Sequence, residues 1–274
     1  MTTPKIWLIT GAARGFGRRW TIAALERGDK VVATARDTTA LGDLVYRFGD
    51  AILPLRLDVT DRQDVFAAVE QGHRVFGRLD VVLSNAGYGH QGAVEEISEA
   101  EARAQMDTNF FGTMWLAQAA LPIFRAQSSG HLLAVSSVLG VSTVPSFGIY
   151  SASKFAVEGL LDTLSQEVTA FGVKVTLIEP GGYATDFNNS SSAKQSSPNQ
   201  AYDGIRTGLA AAFATYEFGD PSATAVAILA VVDADMPPLR IALGAGTIDQ
   251  IEGSYRERLA TWDAWKSVSV AAQG

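Results

Sequence analysis

Tyr150 and Lys154 are four residues apart in a segment with the apolar spacing of a helix. At that spacing two side chains lie on the same face of a helix and can approach each other. A free tyrosine has a pKa of about 10, too high for proton transfer near neutrality, and a nearby ammonium group lowers it. The pair predicts a tyrosine that acts as a general acid or base. In isolation, such a pair is more often found on an amphipathic helix without a catalytic role.

A second pattern is suited to binding a phosphate group. Residues 10–17 read Thr-Gly-Ala-Ala-Arg-Gly-Phe-Gly and lie between a strand-like apolar run and a helical pattern. The glycines Gly11, Gly15 and Gly17 allow a tight turn and a close approach of the backbone to a pyrophosphate, and the following helix offers free N–H groups to the anion. The pattern indicates a dinucleotide-binding loop.

The end of the second predicted strand indicates which dinucleotide is bound. Ala35 and Arg36 stand there, where an NAD-dependent enzyme usually has an acidic residue for the ribose hydroxyls. A cation suits the 2′-phosphate of NADP(H), and Arg14 in the glycine loop is expected to reach the same phosphate. We therefore predict NADP(H) as the cofactor. If the strand ends one or two residues later, Asp37 binds the ribose hydroxyls instead. In a second alternative, Arg14 and Arg36 are only solvated surface charges.

The elements that must position these residues alternate between short apolar runs and helical patterns. The strand-like runs are 6–10, 31–35, 51–57, 81–84, 131–136 and 173–178. The helical patterns are 19–27, 64–76, 99–125 and 152–171. We predict an α/β fold with a Rossmann-type, doubly wound, mainly parallel sheet of about seven strands, right-handed crossovers and helices on both faces, in three αβα layers. A helix over 221–234, a strand over 239–243 and a terminal helix with Trp262 and Trp265 are also expected.

Composition restricts the class of protein. The 274 residues are 47% hydrophobic and 19% charged, which predicts one folded domain over 1–274. A net charge of −7 argues against nucleic-acid binding. The chain has no cysteine and three scattered histidines, so neither disulfides nor a metal site are expected. We expect a soluble, cytoplasmic protein with neither a secretory signal nor a membrane-spanning segment.

The order and spacing of several short motifs resemble the short-chain dehydrogenase/reductase superfamily, over about residues 5–187. The motifs are the glycine loop spaced G-x-x-x-G-x-G, Asp58-Val59, Ser84-Asn85-Ala86-Gly87, Asn109, Ser137, Tyr150 with Lys154, and Pro180-Gly181 with Thr185. The glycine spacing is typical of the single-domain branch, and the chain is most similar to retinol and hydroxysteroid dehydrogenase-like carbonyl reductases. Ser84 stands where the family often has a first asparagine.

The resemblance implies a catalytic set of Asn109, Ser137, Tyr150 and Lys154. In the family, the tyrosine protonates the carbonyl oxygen as hydride arrives, the serine holds the substrate oxygen, and the lysine also binds the nicotinamide ribose. The asparagine interrupts its helix and holds a water for proton return. The implied cofactor contacts are Gly11, Arg14, Gly15, Phe16, Gly17, Arg36, Asp58, Val59, Asn85, Ala86, Gly87, Tyr150, Lys154, Pro180, Gly181 and Thr185. From the residues alone, Ser137 is equally a turn residue and Asn109 a helix-surface residue.

Residues 183–220 are expected to form a substrate-binding lid within the domain. The part over 188–200 is rich in serine and asparagine without a helical or strand period, which predicts a mobile loop that is either a substrate lid or an ordinary surface loop. Aromatic residues with few charges indicate a bulky apolar substrate, or else core packing. They are Tyr183, Phe187, Tyr202, Phe213, Tyr216 and Phe218. His90 is predicted to be an exposed loop residue unless it touches the substrate.

Together these features predict an NADP-dependent oxidoreductase that interconverts a ketone or aldehyde and its alcohol. The resemblance further implies a homodimer or homotetramer formed through 99–125 and 152–171, although a buried helix in a monomer would show the same apolar pattern. The main alternative is a non-catalytic NADP-binding regulator or redox sensor on the same fold. An epimerase or dehydratase would require a larger carboxy-terminal domain, and a serine hydrolase would require a G-x-S-x-G motif.

Overall fold

The computed structural model describes residues 4–185 and 193–274. Its strands are β1 (Ile6–Ile9), β2 (Lys30–Ala35), β3 (Ile52–Arg56), β4 (Val81–Ser84), β5 (Gly89–Gln91), β6 (Gly130–Val135), β7 (Val173–Pro180), β8 (Ala193–Gln195) and β9 (Arg240–Leu243). Its α-helices are α1 (Gly15–Glu26), α2 (Gly42–Phe48), α3 (Arg62–Phe76), α4 (Glu99–Met106), α5 (Gly112–Gln127), α6 (Gly148–Val168), α7 (Asp203–Ala214), α8 (Thr224–Asp233), α9 (Thr247–Ala264) and α10 (Lys266–Ala271).

Seven of the strands form one sheet in the order β3-β2-β1-β4-β6-β7-β9, and every pairing in it is parallel. The chain runs from β1 outward to β3 and then returns to the other side of β1 for β4. The loops that follow β1 and β4 therefore diverge, and such a reversal opens a ligand crevice at the carboxyl ends of the strands. The predicted doubly wound sheet of about seven strands is confirmed.

A hydrophobic core lies on each face of the sheet. Leu8 of β1 belongs to the core beneath α3, α5 and α6, whereas its neighbours Trp7 and Ile9 belong to the core beneath α1 and α8. Successive residues of a strand point to opposite faces, so a strand covered on both faces must be apolar throughout. This arrangement explains why the strands appear in the sequence as uninterrupted apolar runs, and it confirms the three layers.

The helix bounds differ from those expected from apolar spacing. The glycine-rich start of α1 and the polar start of α6 carry no apolar period, and both helices begin four residues before the pattern does. The pattern over 99–125 is not one helix, because a π-helical segment over Asp107–Phe111 separates α4 from α5. The terminal helix also divides, with Trp265 between α9 and α10. The short α2, which buries only Leu44, was not predicted at all.

A second, two-stranded sheet pairs β5 with β8 in parallel. The predicted loop over 188–200 is therefore wrong for residues 193–195, which form β8; residues 186–192 lie outside the described part of the chain. Only the edge offered by β5 makes this segment a strand, because its own sequence has no strand period. None of the helices in the described residues is long and apolar enough to cross a membrane.

The contact between Gly130 and Phe124 yields a test of the packing. A Cβ atom at Gly130 would lie 2.2 Å from the ring of Phe124, which is fully buried. We expect Gly130→Ala to lower the free energy of unfolding by about 1–3 kcal/mol, because the ring must move within a filled core. Urea denaturation measures the change.

The matched control is Gly159→Ala, at an exposed position of α6 where an added Cβ meets nothing within 4 Å. Alanine has the higher helix propensity, so this variant should be more stable by up to about 1 kcal/mol. Equal effects of the two substitutions would contradict the packing described here.

Candidate active site

The loop between β1 and α1 has the backbone shape of a phosphate cradle. Gly11 and Gly15 have φ of +66° and +54°, in the left-handed region where glycine is favoured. A Cβ atom at Gly17 would lie 2.4 Å from the Gly11 carbonyl oxygen and 2.4 Å from Asn85 Nδ2. The three glycines are therefore required by conformation and by close packing, and the amino terminus of α1 begins within the loop.

Asn85 joins this loop to the end of β4. Its Nδ2 donates to the carbonyl oxygens of Thr10 and Gly11 at 2.9 and 3.1 Å. The Thr10 hydroxyl in turn accepts from the backbone N–H groups of Asn85 and Ala86 at 2.9 and 3.0 Å. Asn85 and Ala86 hold the two sides of the crevice together. Gly87, in contrast, lies on the catalytic side, where an added Cβ would be 3.1 Å from Asn109 Oδ1 and 3.6 Å from Lys154 Nζ.

The chain after β7 covers the glycine loop. Thr185 lies over Gly15, with its Cβ 3.9 Å from the position of an added Cβ there. Gly181 donates its N–H to the Leu243 carbonyl oxygen at 2.9 Å, and any side chain at this position would meet Thr247 Oγ1 at 2.5 Å. Pro180 and Gly181 thus turn the chain across the carboxyl edge of the sheet. Phe16 stacks on Trp20 with ring centres 5.0 Å apart.

Arg14 and Arg36 lie at the same edge of the sheet, because they follow the adjacent parallel strands β1 and β2. Asp37 accepts hydrogen bonds from the N–H and hydroxyl of Thr39 at 2.9 and 2.7 Å, and these bonds hold the pKa of its carboxyl below the usual range. The Asp37 carboxylate therefore caps the short helical turn over 38–41. Asp37 is thus engaged within its own turn, whereas Arg36 follows β2 directly at the edge of the sheet.

Asp58 and Val59 follow β3. Partial burial opposes ionisation of the Asp58 carboxyl, but two hydrogen bonds from Thr60 and the charges of Arg36 and Arg56 leave its pKa below the usual value. Val59 is buried against Gly112 at the start of α5. Asp58 thus lies just beyond the carboxyl end of β3, whereas Val59 is part of the core.

Tyr150 lies in the first turn of α6, is 5% exposed, and forms a hydrogen bond with Ser137. Ser137 begins the turn after β6, where its hydroxyl also accepts from the Leu139 N–H at 3.1 Å. Burial raises the pKa of Tyr150 to about 12, although the bond to Ser137 opposes this shift. The predicted pair of Ser137 and Tyr150 is brought together.

Lys154 is one turn further along α6 and equally buried. Its Nζ donates to the Val135 carbonyl oxygen at 2.7 Å and lies 5.9 Å from the centre of the Tyr150 ring. Burial lowers the pKa of Lys154 to about 8, and the charge of Glu158 opposes the shift. The expectation that Lys154 lowers the Tyr150 pKa is therefore wrong for this structure, because the ammonium group is directed to the backbone and burial dominates at the phenol.

Asn109 occupies the centre of the π-helical segment and is 1% exposed. Its Nδ2 donates to the Tyr88 carbonyl oxygen and to Ser153 Oγ, both at 3.1 Å, and its Oδ1 accepts from the Tyr88 N–H at 3.1 Å. The extra residue of a π-helical turn is frequent at functional sites. Asn109 therefore interrupts its helix, as the family resemblance implied, and it connects α6 to the chain after β4.

His90 is buried, so the prediction that it is an exposed loop residue is wrong. The side chain is 1% exposed, and its Nε2 lies 2.8 Å from Ser196 Oγ. The Ser196 hydroxyl also donates to Glu101 Oε2 at 3.2 Å. His90 became buried because β5 pairs with β8, a contact between segments about a hundred residues apart that no local pattern indicated.

Aromatic side chains extend from Tyr150 toward the surface. Phe147 packs edge-on against both Tyr150 and Phe213 at 6.3 Å, and Phe218 packs on Phe213 at 6.3 Å and on Tyr216 at 4.9 Å. We call these four residues, Phe147, Phe213, Tyr216 and Phe218, the aromatic cluster. Phe147 was not predicted as a pocket residue, because it lies directly before α6 and outside the 183–220 segment from which the pocket aromatics were chosen.

The other predicted pocket aromatics lie elsewhere. Tyr183 packs edge-on against Phe16, beside the glycine loop, at 5.2 Å. The Tyr202 hydroxyl donates to Glu95 at 2.5 Å on the outer side of α7. Phe187 lies outside the described residues. Of the predicted pocket aromatics in the described residues, only Phe213, Tyr216 and Phe218 belong to the aromatic cluster that adjoins Tyr150.

The segment after residue 192 is attached to the body of the domain by polar contacts. Glu96 accepts a hydrogen bond from the Asn199 N–H at 2.6 Å and pairs with Arg206 of α7. The Tyr216 hydroxyl accepts from the Gly182 N–H at 3.0 Å. All residues of α7 remain at least partly exposed. In the described residues, no group of three potential metal ligands is found.

Comparison with known proteins agrees with this geometry. Residues 5–196 match the family model described as short chain dehydrogenase. The chain is 40% identical over 271 residues to oxidoreductase BOA17 of Botryotinia fuckeliana, which covers 98% of this chain and 99% of the relative. It is 41% identical over 186 residues to a 3-ketodihydrosphingosine reductase of Bacteroides thetaiotaomicron, over 68% of this chain and 66% of the relative.

Solved structures agree with the fold and with dinucleotide binding. A short-chain dehydrogenase from Streptomyces avermitilis superposes with a TM-score of 0.93 at 36% identity, over 99% of both chains. An alcohol dehydrogenase from Thermococcus sibiricus, complexed with 5-hydroxy-NADP, has a TM-score of 0.74 at 25% identity over 88% of this chain and 96% of its own. A family member from Burkholderia phymatum in complex with NAD has a TM-score of 0.78 at 25% identity, over 91% and 92%. Structural relatives thus bind either NAD or an NADP derivative.

The hydrogen bonds of Asn109 yield a test of this arrangement. We expect Asn109→Ala to lower the free energy of unfolding by about 1–3 kcal/mol, because it leaves the part-buried N–H of Tyr88 without its acceptor. Urea denaturation of the protein without ligands measures this loss. Thr108→Ala is the control, since the Thr108 hydroxyl makes no hydrogen bond among the described residues, and it should change stability by less than about 0.5 kcal/mol.

Proposed function

This chain belongs to the short-chain dehydrogenase family of oxidoreductases, and we propose that it uses NADP(H) to interconvert a bulky apolar ketone or aldehyde and its alcohol. One observation carries the proposal: Tyr150 is buried at the crevice, hydrogen-bonded to Ser137 and flanked by the aromatic cluster. A polar acid within an apolar surface suits a substrate that carries one carbonyl group on a hydrophobic body.

The residues at the crevice fit a dinucleotide. The left-handed Gly11 and Gly15 and the amino terminus of α1 suit the pyrophosphate. Arg36 would pair with the 2′-phosphate, since the neighbouring Asp37 is engaged by Thr39. When bound, the nicotinamide would supply hydride to the carbonyl carbon of the substrate. Thr185, Tyr150 and Lys154 are the residues that would hold its nicotinamide end.

Ser137 and Tyr150 would act on the substrate oxygen. As the carbonyl is reduced, negative charge develops on this oxygen, and hydroxyl donors placed there stabilise it. Because burial raises the pKa of Tyr150 to about 12, the phenol holds its proton at neutral pH and is in the form that reduction requires. Oxidation of the alcohol requires the phenolate, and Lys154 would stabilise it only if its ammonium group turned from the Val135 carbonyl oxygen toward the phenol.

The aromatic cluster would determine the substrate class. Phe147 joins Tyr150 to Phe213, so an apolar body bound against these rings has its carbonyl near the phenol. Phe213, Tyr216 and Phe218 are about 40% exposed at the surface, and covering apolar rings stabilises a complex. The Bacteroides thetaiotaomicron relative is named for the reduction of a ketone, which supports this substrate type.

The function is tested by following NADPH oxidation with a panel of bulky ketones and aldehydes. We expect turnover by the wild-type protein and a roughly 10²- to 10⁴-fold lower kcat for Tyr150→Phe, since general acid catalysis contributes about this factor. NADPH affinity, measured by fluorescence titration, should be nearly unchanged in the variant.

Tyr46→Phe, at a fully solvated position of α2, is the matched control and should retain wild-type rates. If Tyr150→Phe kept most of its activity, Tyr150 would not be the proton donor. Tight NADPH binding by the wild-type protein without turnover of any carbonyl would favour a non-catalytic regulator or redox sensor.

The cofactor preference is tested at Arg36. We expect Arg36→Ala to weaken NADPH binding by roughly 10- to 100-fold, because hydrogen bonds to a charged group contribute about 1.5–3 kcal/mol. NADH binding should be almost unaffected. Arg47→Ala is the control, since this exposed arginine pairs with Glu26 on the surface. Equal weakening of NADPH and NADH by Arg36→Ala would place the 2′-phosphate elsewhere.

A further inference from the structure

A second group of ionisable side chains lies behind Lys154, outside the crevice. Glu158 is one helical turn beyond Lys154 on α6 and is 5% exposed, and Glu179 of β7 is 3% exposed. Arg240 of β9 and Asp162 of α6 complete the group. We call these four residues the buried carboxylate cluster. Carboxyl groups are almost never buried to this degree without charged partners, so the cluster requires an explanation.

The cluster contains more carboxyl groups than cations. Arg240 Nε donates to Glu158 Oε2 at 2.9 Å and lies 3.5 Å from Glu179 Oε1, and its Nη2 donates to Asp162 Oδ2 at 2.7 Å. Asp162 has a side chain that is 41% exposed, so water stabilises its charge. Glu158 and Glu179 therefore share one guanidinium, and Lys154 is the other cation near them.

The atoms of the two glutamates indicate where a proton would lie. The Glu158 carboxyl is close to both Ser136 and Glu179. Oε1 of each glutamate is fully buried and lacks a hydrogen bond of normal geometry among the described residues, as does Ser136 Oγ. Two adjacent buried carboxylates cannot both ionise at low cost, whereas a protonated carboxyl donates a hydrogen bond to an ionised one. Burial and the Glu158 charge raise the pKa of Glu179 to about 7.

The cluster is continuous with the proposed catalytic residues. Ser136 precedes Ser137 in the chain, and Glu158 follows Lys154 on the same face of α6. A Cβ atom at Gly140 would lie 2.5 Å from Ser136 Oγ, 3.2 Å from Glu158 Cγ and 3.3 Å from Lys154 Cβ. The turn after Ser137 is thus pressed against both side chains, and only glycine fits there.

We propose that Glu158 and Glu179 hold one proton between them, and that the negative charge left on the pair keeps Lys154 protonated, which makes Glu158 a positioning residue of the active site. The effect on turnover rests on the proposed function, but the shared proton and the charge of Lys154 do not. Asp162 and Arg240 face the same carboxyl groups and offset each other, so the net charge next to Lys154 is that of the glutamate pair.

The direction of the effect on Lys154 follows from its burial. Burial already lowers the Lys154 pKa to about 8, and the Glu158 charge opposes this. Glu158→Gln removes that charge with little change of shape, so Lys154 should lose its proton at a pH lower by roughly one unit. The alkaline limb of the kcat/KM profile for carbonyl reduction should move down by the same amount. Glu179→Gln leaves Glu158 ionised, and Glu158 is the carboxylate whose charge acts on Lys154, so the alkaline limb of Glu179→Gln should move down by less than that of Glu158→Gln.

Unfolding as a function of pH tests both parts without cofactor or turnover. The pKa of Glu179 is raised from 4.5 to about 7 in the folded protein. The free energy of unfolding therefore includes a favourable contribution from the bound proton below pH 4.5, and this contribution is lost as the pH rises to about 7. Over this interval the folded wild-type protein should bind about one proton more than the unfolded chain, so its free energy of unfolding should fall with pH. We expect this difference of about one proton to be absent in Glu179→Gln.

The same series reports on Lys154 at higher pH. The folded state releases the Lys154 proton near pH 8, below the value of 10.5 in the unfolded chain, so stability should rise with pH between these values. In Glu158→Gln this rise should begin roughly one pH unit lower. Glu167→Gln, which removes an exposed carboxylate of the same helix outside the cluster, is the matched control and should leave the onset unchanged.

The outcomes are distinguishable. If the unfolding free energy of Glu179→Gln depended on pH between 4.5 and 7 as in the wild-type protein, the shared proton would be disproved. If stability began to rise at the same alkaline pH in Glu158→Gln as in the wild-type protein, the charge effect on Lys154 would be disproved. If Glu158→Gln does not fold, Glu179→Gln still decides, because an unchanged dependence of its unfolding free energy on pH between 4.5 and 7 contradicts the proposal. Absence of turnover by the wild-type protein would contradict the proposed function and leave the unfolding tests in force.

Discussion

The packing of one face of α6 against the ends of β6 and β7 is the constraint on which the site depends. Tyr150, Lys154 and Glu158 are spaced four residues apart, and each is at most 5% exposed. Spacing of this kind places the three side chains in one row. Three polar groups in a buried row are costly unless each has partners, and these are provided by Ser137, the Val135 carbonyl group and Arg240.

Similar reasoning explains the two sides of the crevice. The reversal of strand order between β1 and β4 separates the following loops, and Asn85 connects them with hydrogen bonds to Thr10 and Gly11. Asn109 connects the chain after β4 to α6 in the same way. Each asparagine satisfies backbone groups that no strand or helix pairs, so the loops are held in a defined position without being part of the sheet.

The region over 193–219 differs in character from the sheet. It is attached by Glu96, Ser196 and the aromatic cluster, and all of α7 remains partly exposed. Segments with few buried apolar contacts have lower local stability than a core. The chain thus joins the buried row of polar side chains on α6 to a less deeply packed segment that carries part of the aromatic cluster.

The sequence by itself determined the parallel sheet, the glycine loop and the shared helix face of Tyr150 and Lys154, because apolar period, helical spacing and glycine conformation are local properties; the family resemblance added Ser137. It also determined the family, since the motifs recur in a defined order. Only the tertiary structure decided the burial of His90, the strand at 193–195, the capping role of Asp37 and the cluster of Glu158 with Glu179 and Arg240. It also decided that burial, and not Lys154, dominates the Tyr150 pKa. These features depend on contacts between distant segments, and contacts of that kind leave no periodic signal in the chain.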